Sequence, residues 1–170
     1  ADEKVNSYIR SLVNEFGIDF DDYDSKVKDS FHLHTKKKEL NPDLLKIHSD
    51  EIVISKGVTP LTNIFTVPKD FILYEGIGLE TDIHNDFLFP ILTADENSYS
   101  VGTVGENLFY NLGSRIKLVA GYQGRNNKRV VVSGSHSLCS NKLFGLSKVN
   151  DSPLSSNELF CFELIKWNLE

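Results

Sequence analysis

Histidine is the side chain best suited to hold a metal ion near neutral pH, and His32 and His34 stand at i and i+2. On a strand that spacing points both rings to one side, where they could share an ion. A metal centre needs more ligands than two. Neither a cysteine nor a carboxylate falls at a usual partner spacing, and His48 lies beyond Pro42. Surface histidines are expected, with no metal site. Asp19, Asp21, Asp22 and Asp24 form an acidic cluster, but they lack the ligand spacing of a known calcium loop and the glutamate that closes it. They read as solvated. Ser133-Gly134-Ser135-His136-Ser137 puts serine beside histidine. A hydrolase elbow needs Gly-x-Ser-x-Gly, and here glycine directly precedes Ser135 and none follows two positions on. Close backbone packing where a strand leaves its sheet is the better role for Gly134. Glu75-Gly76-Ile77-Gly78 lacks the third glycine and the lysine of a phosphate loop and reads as a turn. No catalytic residue and no cofactor site emerges.

The remaining polar constellation differs in kind. Gln123, Arg125, Asn126, Asn127 and Arg129 crowd rigid donors and amides around one short turn. They either tie down that turn and the loop facing it, as asparagine commonly does, or form a contact surface for a partner subunit or glycan. Cys161 lies among Phe160, Phe162 and Leu164, which favours a buried free thiol. A disulfide to Cys139 stays open for a chain in an oxidising compartment, since spacing alone does not decide it. Asn150-Asp151-Ser152 is a glycosylation acceptor by pattern.

Positioning such groups requires a folded core, which the composition provides: 40% hydrophobic and 25% charged in 170 residues, enough for one domain without staples. The net charge of −6 excludes a nucleic-acid footprint, and Lys36-Lys37-Lys38 beside Glu39 reads as a solvated turn. The absence of methionine and the start at Ala1 suggest a piece of a longer protein. No signal peptide and no apolar run of about 18 residues is present, so this piece is not expected to contact a membrane.

Val5, Tyr8, Ile9, Leu12, Val13 and Phe16 recur at helical spacing, and Gly17 stops them, giving a helix over 1–17. Residues 18–38 are expected to be partly extended. Residues 52–54 and 71–74 suit buried strands, with a packed connector at 61–67. Residues 87–93 carry Pro90, which implies an edge or bulged strand. Residues 94–114 are polar and rich in glycine and asparagine, so a long loop, lid or disordered excursion is expected. Ile116, Leu118, Ala120 and Tyr122 alternate with Lys117, Val119 and Gly121; a polar turn at 124–127 and the run 129–132 complete a hairpin. Ser155 to Glu158 has capping-box spacing, opening a helix over 155–170 that is apolar on most sides. Such a helix is buried nearly all round or packs on something outside this piece. The fold class is α/β: a single domain, 1–170, with a mixed sheet within 50–135 and flanking N-terminal and C-terminal helices.

The hairpin Gln123-x-Arg125-Asn126-Asn127-x-Arg129, ending Ser133-Gly134-Ser135, resembles a signature of the Wbp/DDOST family, the non-catalytic subunits of oligosaccharyltransferase. Residues 9–20, 71–78, Pro90 to Thr93, Ser98-Tyr99-Ser100, residues 140–144 and Asn157 to Trp167 resemble further family segments in the same order, covering roughly 8–168. His136 and Cys139 depart from the family's acidic and aromatic residues at those places. The resemblance implies the second half of a larger luminal domain, on a parent anchored in the endoplasmic reticulum membrane. It implies no catalytic residue, partners among the other subunits including the catalytic transferase, and support of en bloc oligosaccharide transfer to asparagine. Two alternatives stand beside it: a module gripping glycan or lipid-linked oligosaccharide through Tyr99, Tyr110 and Tyr122, and a related ciliary transport scaffold.

Overall fold

A computed structural model describes residues 3–21, 25–29, 33–36, 39–47, 71–102, 109–147 and 156–169. The expected strand at 52–54, the connector at 61–67, His32, His48, Asp22, Asp24, Asn150 and Ser155 lie outside the described residues. Helix α1, Glu3–Asn14, ends as the sequence implies. Phe16 N–H and Gly17 N–H donate to the carbonyls of Val13 and Asn14, and Gly17 adopts φ +80. That left-handed angle favours glycine, so the residue closes the helix where a side chain would strain it.

The central sheet has five strands: β1 Ile18–Phe20, β6 Leu79–Thr81, β7 Leu88–Thr93, β10 Lys117–Gln123 and β11 Arg129–Ser133. Strand β10 is its hub. Lys117 pairs with Thr93 of β7 and with Leu79 of β6, while residues further along β10 pair with β7 and with β11. Since β7 flanks one side of β10 throughout, β6 and β11 share the other, and β1 lies outside β6. Among the described pairings β7 meets only β10, with register shifts beside Ala120 and its partner Pro90, the edge position and irregularity expected of a proline-bearing strand.

Strands β2 (Ser25–Asp29), β8 (Ser98–Gly102) and β9 (Phe109–Leu112) form a second sheet. The long loop expected over 94–114 is therefore corrected: its two ends are paired strands. Strands β3 (Leu33–Lys36), β4 (Glu39–Ile47) and β5 (Ile72–Tyr74) form a third. All described pairings are antiparallel. Two further helices follow the hairpin, α2 Asn141–Ser147 and α3 Ser156–Leu169. None of the described helices is long and apolar enough to cross a membrane.

Helices flank the sheet on opposite faces, as the α/β expectation had it. Val132 and Ala120 pack with Val13, Ile18 and Leu79 on the α1 side. Val131 packs with Phe160, Leu164 and Trp167 on the α3 side, in the larger of the two clusters. Here Trp167 meets Phe89 edge to face, ring centroids 5.6 Å apart, a favoured aromatic geometry.

Candidate functional site

The hairpin β10–β11 and helix α3 bring together most of the residues that the sequence marked out. At the turn, Gly124 N–H donates to Lys128 O and Asn127 N–H to Gly124 O. Asn127 takes φ 57, the left-handed angle that asparagine tolerates better than most residues. Its Oδ1 accepts from Gln123 Nε2 at 3.0 Å and from Arg129 Nη2 at 3.1 Å. Three of the five proposed contact residues thus fasten the turn itself.

Arg129 also reaches away from the turn. Its Nη1 donates to Trp167 O at 2.6 Å, and its guanidinium lies 5.3 Å from the centroid of the Trp167 ring. The last four carbonyls of a helix have no partner within it. Arg129 therefore satisfies one of them on α3, brings a cation to the negative end of the helix dipole, and rests on an aromatic face. Arg125 and Asn126 are left at the exposed tip, with Arg125 placed 5.7 Å over the Phe87 ring. Tyr122 is wedged between Phe16 and Phe87, at centroid distances of 5.1 and 6.0 Å. Tyr99 is half-buried, and the side chain of Tyr110 lies outside the described residues.

The two glycine motifs meet each other. Ile77 N–H donates to Gly134 O at 3.0 Å, and a Cβ on Gly134 would come within 2.1 Å of Ile77 O. A Cβ on Gly76 would come within 2.4 Å of Gly134 O. Ser135 Oγ donates to Glu75 O, so the serine of the rejected hydrolase motif ties the same two segments together. Tyr74, fully buried, donates its hydroxyl to Ile77 O at 2.7 Å. Burial of the phenol raises its pKa far above the ordinary value, with the nearby Asp21 carboxylate adding to the shift. The hydroxyl thus serves as a fixed donor to the Ile77 carbonyl.

Two expectations fail here. Cys139 and Cys161 are joined in a disulfide. The apolar neighbours of Cys161 bury the sulfur, and α3 brings it against the loop after β11. Asp21 is buried, not solvated. Its Oδ2 accepts from Ser100 Oγ at 2.5 Å, and its Oδ1 accepts from Asn111 Nδ2 at 3.4 Å. Asn111 donates also to Glu80 Oε1 at 2.6 Å. Burial raises the Asp21 pKa against the lowering effect of the Ser100 and Asn111 hydrogen bonds. Asp21 thereby bridges the central sheet to the β8–β9 pair. Asp19 is exposed and bonds its neighbours, its Oδ1 accepting from Arg10 Nη1 at 3.4 Å. The backbone of His34 lies in β3, and no group of three or more His, Cys, Asp or Glu suited to a metal occurs among the described residues.

Asn157 is the residue that sequence reasoning missed. It is fully buried, its Oδ1 accepts from Leu73 N–H at 2.8 Å, and its Nδ2 donates to Leu73 O at 2.8 Å and Leu138 O at 3.2 Å. A side-chain amide here imitates a neighbouring strand, filling the backbone groups of β5 on the edge away from β4. Its only sequence signal, a polar residue opening an apolar helix, is shared with ordinary helix caps.

Among the described residues, Ser135, Tyr74, Asn127, Arg129, Asn157 and Asp21 are thus engaged in holding the fold together. The family described as OST48, N-terminal domain matches residues 1–170. The chain belongs to this family. The OST48-type domain is 32% identical over 174 residues to an Arabidopsis thaliana protein named as the dolichyl-diphosphooligosaccharide–protein glycosyltransferase 48 kDa subunit, covering 98% of this chain and 39% of that protein. Proteins of the same name from Danio rerio and Caenorhabditis elegans are 29% and 24% identical, over 85% and 98% of this chain and 32% and 38% of their own lengths. The chain thus spans about two fifths or less of the curated relatives it matches.

Proposed function

We propose that this OST48-type domain is a structural, non-catalytic part of an oligosaccharyltransferase subunit. Facing the lumen of the endoplasmic reticulum, it helps hold the complex together for en bloc transfer of a lipid-linked oligosaccharide to asparagine. The observation that carries the reading is the use of the chemically capable groups. Ser135, Tyr74, Arg129, Asn127 and Asn157 all have partners within the fold, whereas apolar residues stand exposed on two helices. Catalysis needs groups free to meet a substrate; assembly needs surfaces. The disulfide supports a luminal position, because such bonds persist in oxidising compartments. The family match favours this reading over a ciliary scaffold. The packing of Tyr122 between two rings weighs against the glycan-gripping alternative. The partners are the other subunits, the catalytic transferase among them, and no cofactor is involved.

The test is affinity purification of the tagged full-length protein from detergent-solubilised membranes, with and without Arg125→Ser and Asn126→Ser together. These two residues can be altered without touching the bonds made by Asn127 and Arg129. Recovery of the transferase subunit supports the complex, and its loss in the double variant assigns the tip as a contact. Recovery unaffected by the variant moves the contact elsewhere. Absence of the transferase overturns the reading.

A further inference from the structure

Among the described residues, strand β11 forms a border of the central sheet. On that side of β10, β6 is covered by β1, but no described strand pairs with the outer edge of β11. The hydrogen-bond phase fixes which groups face outward. Gly124 N–H donates to Lys128 O and Gly134 N–H to Leu118 O, so the even-numbered residues of β11 are bonded to β10. In an antiparallel pair the alternate residues turn their N–H and C=O away. Arg129, Val131 and Ser133 therefore present their backbone groups to the open side. Gly134, whose carbonyl accepts from Ile77 N–H, ends this stretch at one end and the turn at the other.

The same residues line a groove. Val131 and Ser133 form its floor, and Cys161, Leu164, Ile165 and Leu169 of α3 form its wall, around a volume of about 280 Å³. The wall continues outward as an exposed apolar stripe, Phe162, Ile165 and Leu169, one face of α3 by its i, i+3, i+7 spacing. Among the described residues that line the groove, Ser135, His136 and Asn168 are polar.

We infer that β11 and α3 form a strand-addition site for an extended segment of a partner polypeptide. An unpaired edge supplies main-chain bonds, and a flanking apolar groove accepts every second side chain of an added strand. A helix laid on α3 would leave the outward groups of Val131 and Ser133 unmatched. The expected segment is about five residues long and apolar at alternate positions. This inference concerns the kind of partner and does not require that partner to be the transferase.

The full-length protein carrying Phe162→p-benzoylphenylalanine, irradiated in its native membrane, tests it. Cross-linked peptides are identified by mass spectrometry. The expected product is one segment of one partner with apolar alternation. Val131→Pro removes an outward N–H that edge strands do without. Leu169→Lys alters a residue that is 80% exposed and so leaves folding intact. Each should lower cross-link yield about tenfold or more, as removal of a central contact does, while Ile83→Lys, at an 87% exposed position between β6 and β7, leaves it unchanged. Cross-links to a second copy of this chain, to a segment with helical periodicity, or to nothing overturn the inference, as does a yield indifferent to both groove variants. Failure to recover the transferase, with these cross-links intact, would strike only the proposed function.

Discussion

Two helices lie on opposite faces of one sheet and are held in different ways. Helix α3 is fastened by three independent devices: the Cys139–Cys161 disulfide, the Asn157 amide on Leu73, and Arg129 on the Trp167 carbonyl. Phe160, Leu164 and Trp167 add apolar burial. Helix α1 is fastened by Arg10, which donates to the carbonyls of Phe20 and Asp21 and lies over the Phe20 ring; it buries Val13 in a cluster of five residues, and Tyr8, Ile9 and Leu12 stay exposed. Covalent and polar fastening concentrates where the hairpin, the glycine crossing and the closing helix meet. Helix α3 thus carries a covalent tether and a buried amide that α1 lacks, whereas α1 relies on one arginine at its edge and leaves more of its apolar stripe exposed.

Breaking the α3 side should therefore have the largest effects. Asn157→Leu leaves Leu73 N–H and C=O and Leu138 O buried without a partner. At about 1–3 kcal/mol for each unsatisfied group, a loss of about 3 kcal/mol or more is expected in chemical denaturation. Asn157→Asp should recover little, because the acid cannot donate the two bonds that Nδ2 makes. Cys139→Ser with Cys161→Ala opens a loop of sequence separation 22, for which the chain-entropy relation gives about 3 kcal/mol. Reductant should lower the melting temperature of the native protein and leave that of the double variant unchanged.

A smaller, pH-dependent effect should appear between the two sheets. Burial raises the Asp21 pKa, so the folded state holds this proton more tightly than the unfolded chain does. The folded state consequently gains stability from Asp21 as pH falls toward the carboxylate range, and loses that gain as pH rises through the raised folded pKa. Asp21→Asn removes the titration while keeping an acceptor for Ser100. The difference in melting temperature between variant and native protein should therefore change in favour of the native protein between neutral pH and about pH 4, near the ordinary aspartate value. An unchanged difference across that range would mean that Asp21 does not titrate differently in the two states.

What the sequence made legible followed from local pattern. The hairpin was readable because period-two alternation, a polar turn and a β-branched run agree. Gly17 and Pro90 acted through backbone angles that depend on nothing distant. The β8 strand was hidden because its inward positions are Ser98 and Ser100, both buried, and its partner strand β2 turns Ser25 and Asp29 inward beside Val27. A strand whose buried face is hydroxyl and carboxyl carries no hydrophobic period. The glycine crossing was half legible: close approach was expected at Gly134, but not that Gly76 would supply the other side. The disulfide and the Asn157 tether join residues 22 and 84 positions apart in sequence, and composition at either end says nothing about the other. The polar turn held both of its readings until geometry gave Gln123, Asn127 and Arg129 to the fold and left Arg125 and Asn126 outside.

The smallest expected effect sharpens the comparison most. Tyr8 and Leu12 are 73% and 62% exposed and share the α1 stripe that made this helix the plainest reading in the sequence. Replacing both with serine should shift stability by no more than about 1 kcal/mol, the sum of two ordinary surface changes, apart from a small loss of helix propensity. Denaturation of the isolated chain measures this directly. A loss of several kcal/mol would mean that the stripe is covered within the chain itself, and that α1 is anchored as α3 is. A near-zero change, with full-length protein recovered without its usual companions, would make the same stripe an assembly surface. An amphipathic pattern reports only that one face avoids water, and the thing it packs against need not belong to the same domain.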